Sequence, residues 1–156
     1  MNVTAEEPDI SLRIGEPEMS IFPAYQIDEV ELLIVTHRES QVRSLSIEEV
    51  RSLFAGAGDP SVQVWVYPSG LDMQRLFDQA VMQGRGVTSS ARVAVNPNQM
   101  SEVISIEINA VGILSRSWAV ESVREIYSLG RFPVLAVLRE EAQGAVKSVI
   151  VCLQNN

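Results

Sequence analysis

At 156 residues, with 46% hydrophobic and 21% charged residues, the chain is long enough for one domain with its own core and too short for two full lobes. Twelve basic against 20 acidic residues leave a net charge of −8, with Lys147 as the only lysine, which argues against a phosphate-attracting nucleic-acid surface. One cysteine, Cys152, excludes an intrachain disulfide and a cysteine-rich metal site, and within the apolar run Val149-Ile-Val-Cys-Leu153 it is expected to be a buried small hydrophobe.

No apolar run approaches the roughly 18 residues of a membrane span. Residues 1–9 are polar and acidic and are expected to form a flexible end, without the basic and apolar regions of a signal peptide. Residues 10–156 are expected to form a single domain. Ile10-Ser-Leu-Arg-Ile14 alternates as a half-buried strand does, and Gly15-Glu-Pro17 ends it. A second strand is expected over Met19–Ile27, and Glu31-Leu-Leu-Ile-Val-Thr36 suits a strand covered on both faces.

Ser46 and Glu49 have the spacing of a capping box. Ile47, Val50, Leu53 and Phe54 then share a helix face, and Gly56 is placed for a left-handed stop. Val62–Tyr67 alternates as a strand and runs into Pro68-Ser69-Gly70. The next helix carries Leu71, Phe77, Ala80 and Val81 and stops before Gly84.

Arg92–Val95 is a short strand, and Asn96-Pro97 marks a helix start with proline at the first helical position. Val103, Ile104 and Ile108 give that helix its apolar side, and Val111–Leu114 is the buried strand it feeds. Trp118–Tyr127 reads as weakly helical and Phe132–Leu138 as a strand. In Ala145–Leu153 the β-branched residues Val146, Val149, Ile150 and Val151 favour a final strand over a short helix. Strands alternating with helices predict an α/β domain with a mixed, mostly parallel sheet flanked by helices.

The candidate chemistry is sparse. His37 is the only histidine and has no ordered partner for catalysis or zinc, and Glu6-Glu7, Glu48-Glu49 and Glu140-Glu141 suit solvated faces. Trp65 and Trp118 suit packing better than ligand stacking. No P-loop, dinucleotide fingerprint, nucleophile elbow or zinc motif is present, so neither enzyme activity nor a metal or cofactor has positive support. Ser69 and Gly70 fit an oxyanion site, because helix starts point unpaired N–H groups outward with about half a positive charge and glycine allows close approach. Asn96 and Asn98 at the next helix start, and Ser89, Ser90 and Ser115 near strand ends, are further cleft candidates, each also explicable as a cap or loop residue.

Four motifs fall in order between Glu31 and Leu138: Leu33–His37 leading to Leu45–Gly56, Val64–Asp72 around Ser69-Gly70, Asn109-Ala-Val-Gly-Ile113, and Tyr127–Leu135. Together they resemble the second lobe and returning strands of a phosphate-type ABC-transporter substrate-binding protein. Within that pattern Leu71 stands where a hydroxyl residue is usual, Tyr67 where an arginine is, and Asp72 at a position often basic. The aspartate would repel phosphate, and Ser69 with Asp72 can equally form a helix cap.

The resemblance implies a periplasmic-binding-protein-like lobe that binds a small anion such as phosphate through Ser69, Gly70 and Leu71, with Asn98 in support. It also implies an ABC permease as partner of the full-length protein and an extracytoplasmic location, lipid-anchored or free. An export signal and a first lobe would then precede these residues. Two alternatives remain open. One is an interaction module of this fold that has lost its ligand site, for which self-association is expected. The other is an effector-sensing domain of a transcription regulator, which would need an attached DNA-binding domain.

Overall fold

The computed structural model describes residues 10–16, 22–139 and 143–155. In chain order these give β1 (Ile10–Ile14), β2 (Ala24–His37), α1 (Ile47–Phe54), β3 (Gln63–Val66), α2 (Asp72–Phe77), β4 (Arg92–Val93), α3 (Pro97–Ile106), β5 (Ala110–Ser115), β6 (Val123–Leu138) and α4 (Gly144–Gln154). A π-helical segment, Asp78–Met82, continues α2, and a 3₁₀ turn, Arg116–Trp118, follows β5. The strands form a six-stranded sheet in the order β1-β6-β2-β5-β3-β4. The α/β class and the mixed sheet agree with expectation, but the sheet is mostly antiparallel. The antiparallel pairs β1–β6 and β2–β5 run over five residues each, whereas the parallel pairs of β3 with β4 and β5 run over two.

The chain forms two compact units, Val30–Arg131 and a second made of residues up to Glu29 together with those from Phe132 onward. In the larger unit β5 is buried along its whole length, with Leu33 of β2 opposite Leu114 and Val64 of β3 opposite Val111. Gly112 lets α3 approach closely: a Cβ there would lie 2.5 Å from the Met100 sulfur and 3.2 Å from Ile104 Cδ1. Helix α1 has the expected capping box, with the Glu49 N–H donating to Ser46 Oγ at 3.3 Å and the Ser46 N–H donating to Glu49 Oε2 at 2.7 Å. Gly56 takes the expected left-handed conformation, at φ 85°.

The Phe54 and Phe77 rings meet at 4.7 Å, joining α1 to α2 in the core. The buried Arg51 donates from Nε to the Val81 carbonyl at 2.6 Å and from Nη2 to Gln83 at 3.2 Å, and also pairs with Glu48. One guanidinium thus fixes α1 against the π-helical segment, supplying a donor to a carbonyl acceptor of the irregular backbone.

The smaller unit is built on Ala136, Leu138 and Ile150, with Ile10, Tyr25, Ile27 and Val146 packed around them. Three expectations change here and at the start of β6. Ala145–Leu153, expected as a strand, is helix α4: Val146 and Ile150 lie four residues apart and share its packed face, and this tertiary contact outweighs the β-branched composition. Cys152 is consequently exposed on α4 and not buried. Trp118–Tyr127, expected to be weakly helical, is a 3₁₀ turn ending at Trp118 and then strand from Val123 onward.

Strand β2 runs without interruption from Ala24 to His37, merging two expected strands; Met19–Ile21 lie outside the described residues, as do 1–9 and Glu140-Glu141. Its first half alternates exposed and half-buried residues and its second is buried on both faces, so one strand crosses two environments. Ile108 falls beyond the end of α3 and is 51% exposed, so it does not belong to the apolar side of that helix.

Candidate functional site

Parallel pairing of β3 with both β4 and β5 brings the carboxyl ends of these strands to one edge of the larger unit. Three connections leave from this edge: Tyr67–Leu71 after β3, Ala94–Asn96 after β4, and Arg116–Trp118 after β5. The antiparallel register that sets Leu32 opposite Ser115 places Glu31 there too. Ligands of open α/β sheets bind beyond such carboxyl ends.

The turn after β3 is closed by the Leu71 N–H donating to the Pro68 carbonyl at 3.0 Å. Pro68, Ser69 and Gly70 are exposed, and a Cβ on Gly70 would meet nothing within 4 Å, so the backbone is open to close approach. Leu71 is the N-cap of α2 and offers no side-chain hydrogen bond, which leaves the first-turn amides without a side-chain cap. The expected cap by Ser69 and Asp72 is therefore not formed. Asp72 is the first residue of α2 and pairs with Arg75 at 3.5 Å.

Tyr67, at the position where the resemblance suggests arginine, is buried and turned into the core. Its hydroxyl donates to the Ile113 carbonyl at 2.7 Å, its N–H donates to Gln74 Oε1 at 2.9 Å, and burial pushes the phenol well above its usual range. Gln74 in turn donates to Asp78 at 2.9 Å, and burial raises the Asp78 carboxyl.

Asn96 caps α3, its Oδ1 accepting from the Gln99 N–H at 2.9 Å while Gln99 Oε1 accepts from the Val95 N–H at 2.8 Å. Asn98 is exposed in the first turn of α3, at the same edge as Ser69. Ser115 is buried there with its hydroxyl 2.9 Å from that of Ser117. Ser89 and Ser90 precede β4 and so lie toward the opposite edge, where Gln63 donates to the Ser90 carbonyl at 2.9 Å. His37 is the last residue of β2, and its Nδ1 accepts from the Glu39 N–H at 3.1 Å. Trp65 is buried, with the Arg92 guanidinium 5.6 Å from its ring centre, and Trp118 is 43% exposed.

A charged cluster at this edge was not expected from the sequence. Arg116 donates from Nε to Glu31 at 2.6 Å and from Nη2 to Glu125 at 2.7 Å, and Ser128 donates to the other Glu31 oxygen at 2.9 Å. The bond to Arg116 first, and that to Ser128 second, hold the Glu31 carboxyl down at about 2, and the two carboxylates raise Arg116 in return. Glu31 and Arg116 are 85 positions apart, so only the β2–β5 register brings them together.

Chemically, the edge offers backbone N–H groups, the exposed Ser69 hydroxyl and the exposed Asn98 carboxamide beside a guanidinium shared by two carboxylates. Such groups can bind a small ligand by hydrogen bonds. Among the described residues no His, Cys, Asp and Glu side chains group as a metal site, and no helix is long and apolar enough to cross a membrane.

No protein-family model and no curated protein sequence matches this chain. Solved structures do match. An ABC-type phosphate transport receptor from Vibrio cholerae superposes with a TM-score of 0.71 at 14% identity, over 95% of this chain and 74% of the receptor. A candidate phosphate ABC-transporter substrate-binding protein with bound phosphate, from Clostridium perfringens, gives a TM-score of 0.81 at 15% identity, over 93% of this chain and 72% of that one. The regulatory domain of CcmR from Synechocystis PCC6803, in complex with 2-PG, gives 0.67 at 13% identity, over 96% and 73%. The chain thus has a periplasmic-binding-protein-like fold, found in transport receptors and in regulatory domains alike.

Proposed function

We propose that this chain is a solute-binding domain that takes a small oxyanion of the phosphate kind at the Ser69-Gly70-Leu71 turn, with Asn98 in support. The observation that carries the proposal is the uncapped start of α2 at the carboxyl edge of three parallel strands, where backbone N–H groups, the Ser69 hydroxyl and the open Gly70 backbone meet. The likeness to phosphate receptors adds support for the ligand class. In this reading the domain serves outside the cytoplasm as part of an ABC-transport component, lipid-anchored or free, and hands its ligand to a permease. It acts by capture and not by catalysis.

Thermal unfolding at fixed ionic strength against phosphate, sulfate, molybdate and small carboxylates tests the site, since a ligand that binds only the folded chain raises its stability by mass action. A selective upward shift with one oxyanion, lost in Ser69→Ala, is the expected result. Equal, featureless responses to all anions would sink the proposal.

A second reading has its own observation. Asp72 in the first turn of α2, with Glu31 and Glu125 at the same edge, opposes an incoming anion, which favours an interaction module of this fold whose ligand site is lost and which self-associates. A concentration-dependent mass in sedimentation equilibrium, together with no anion response, is the outcome that selects it.

A further inference from the structure

A groove of about 600 Å³ lies at the opposite edge of the same unit, formed by the link after β2, the first turns of α1, the loop before β3 and the residues before β5. That is a volume typical of small-molecule sites, roughly 300–1,000 Å³. Its apolar lining comes from Val42, Leu45, Leu53, Val62 and Ile108, and the carboxylates Glu49 and Asp59 line it against a single lining cation, Arg43, while Glu48, also in the lining, is paired with Arg51.

The walls are held before any ligand arrives. Arg124 donates from Nη2 to the carbonyls of Ser40 at 2.9 Å and Val42 at 2.7 Å, and the Leu45 N–H donates to the Ile126 carbonyl at 3.0 Å, tying the link to β6. Asn109 Nδ2 donates to the Ser61 carbonyl at 3.0 Å, closing the far side. Gly58 packs so tightly on α1 that a Cβ there would lie 2.6 Å from Leu53 Cδ1. Glu49 and Asp59 accept hydrogen bonds from Ser46 and from Ser61, respectively, which hold both carboxyls below their usual range and therefore charged at neutral pH.

We propose that this groove binds a small apolar organic cation, its hydrocarbon body seated on the aliphatic lining and its charge between the Glu49 and Asp59 carboxylates. An anion of the same shape meets these two like charges there, so the site discriminates by sign. It is independent of the Ser69 turn, which lies at the carboxyl edge of the sheet.

The test titrates the whole chain with benzyltrimethylammonium, following the backbone amide resonances of Gly58 and Asn109, with phenylacetate as the anionic counterpart. Saturable shifts with the cation are expected, with affinity for phenylacetate lower by about ten-fold or more. The Glu49→Gln, Asp59→Asn double variant keeps the hydrogen-bond acceptors and is expected to weaken cation binding to a similar extent, and Ala57→Trp, which fills the groove, to abolish it. Absence of saturable shifts at these amides, or equal binding of phenylacetate, would overturn the proposal, and the comparison of the two ligands decides it even if a variant fails to fold. Phosphate enters neither arm, so the result is separable from that of the oxyanion test.

Discussion

Single residues carry much of the local logic. Ser46 was legible as a helix cap because its chemistry is local: a hydroxyl three positions before a glutamate closes two free backbone donors. Ser46→Ala is expected to cost about 1 kcal/mol, a fall of roughly 2–4 °C in Tm for a chain of this size, measured by thermal denaturation.

Glu31 is the opposite case, since nothing near it in sequence announces Arg116. Its carboxyl titrates at about 2 against an ordinary 4.5, so its contribution to stability is fully present above 4.5 and is lost as the pH falls from 4.5 through 2. Arg116→Ala should return the Glu31 midpoint toward 4.5 in a carboxyl ¹³C NMR titration. A midpoint still near 2 would show that Arg116 is not the main cause.

Among the elements, those whose pattern agrees with their packing were readable from sequence: α1 from its cap and apolar face, α3 from Asn96-Pro97, and β5 from its unbroken apolar run. Those set by a distant partner were not. α4 carries a strand-like composition and is helical because Val146 and Ile150 pack beside Ala136 and Leu138, and Val123–Tyr127 belongs to β6 through sheet pairing that local propensity cannot register. The contact between α3 and β5 depends on Gly112, which has no Cβ to push against Met100 and Ile104. Gly112→Ala should therefore destabilise by about 1–3 kcal/mol, read from the midpoint of urea unfolding. Part of that cost should return in Gly112→Ala combined with Met100→Ala, which opens room for the added methyl; equal stability of wild type and Gly112→Ala would contradict the close-packing argument.

For the whole molecule, the net charge of −8 and the ordered motifs pointed to an α/β binding domain and away from nucleic acid, and the periplasmic-binding-protein-like fold agrees with the architecture so inferred. The parallel character of the sheet was overestimated because βαβ alternation was read through to the ends of the chain, whereas β1 and the long strands β2 and β6 add antiparallel pairing that short motifs do not encode. The oxyanion proposal rests on residues the sequence singled out, Ser69, Gly70, Leu71 and Asn98, set against a negative cluster that it did not reveal. Opposing carboxylates make any anion affinity dependent on ionic strength.

The most direct test of that proposal is an amide ¹H–¹⁵N titration of the whole chain with inorganic phosphate at constant ionic strength. The account predicts saturable shifts concentrated on Ser69, Gly70, Leu71 and Asn98. Shifts that fail to saturate, or that saturate elsewhere while this turn stays unmoved, would contradict it.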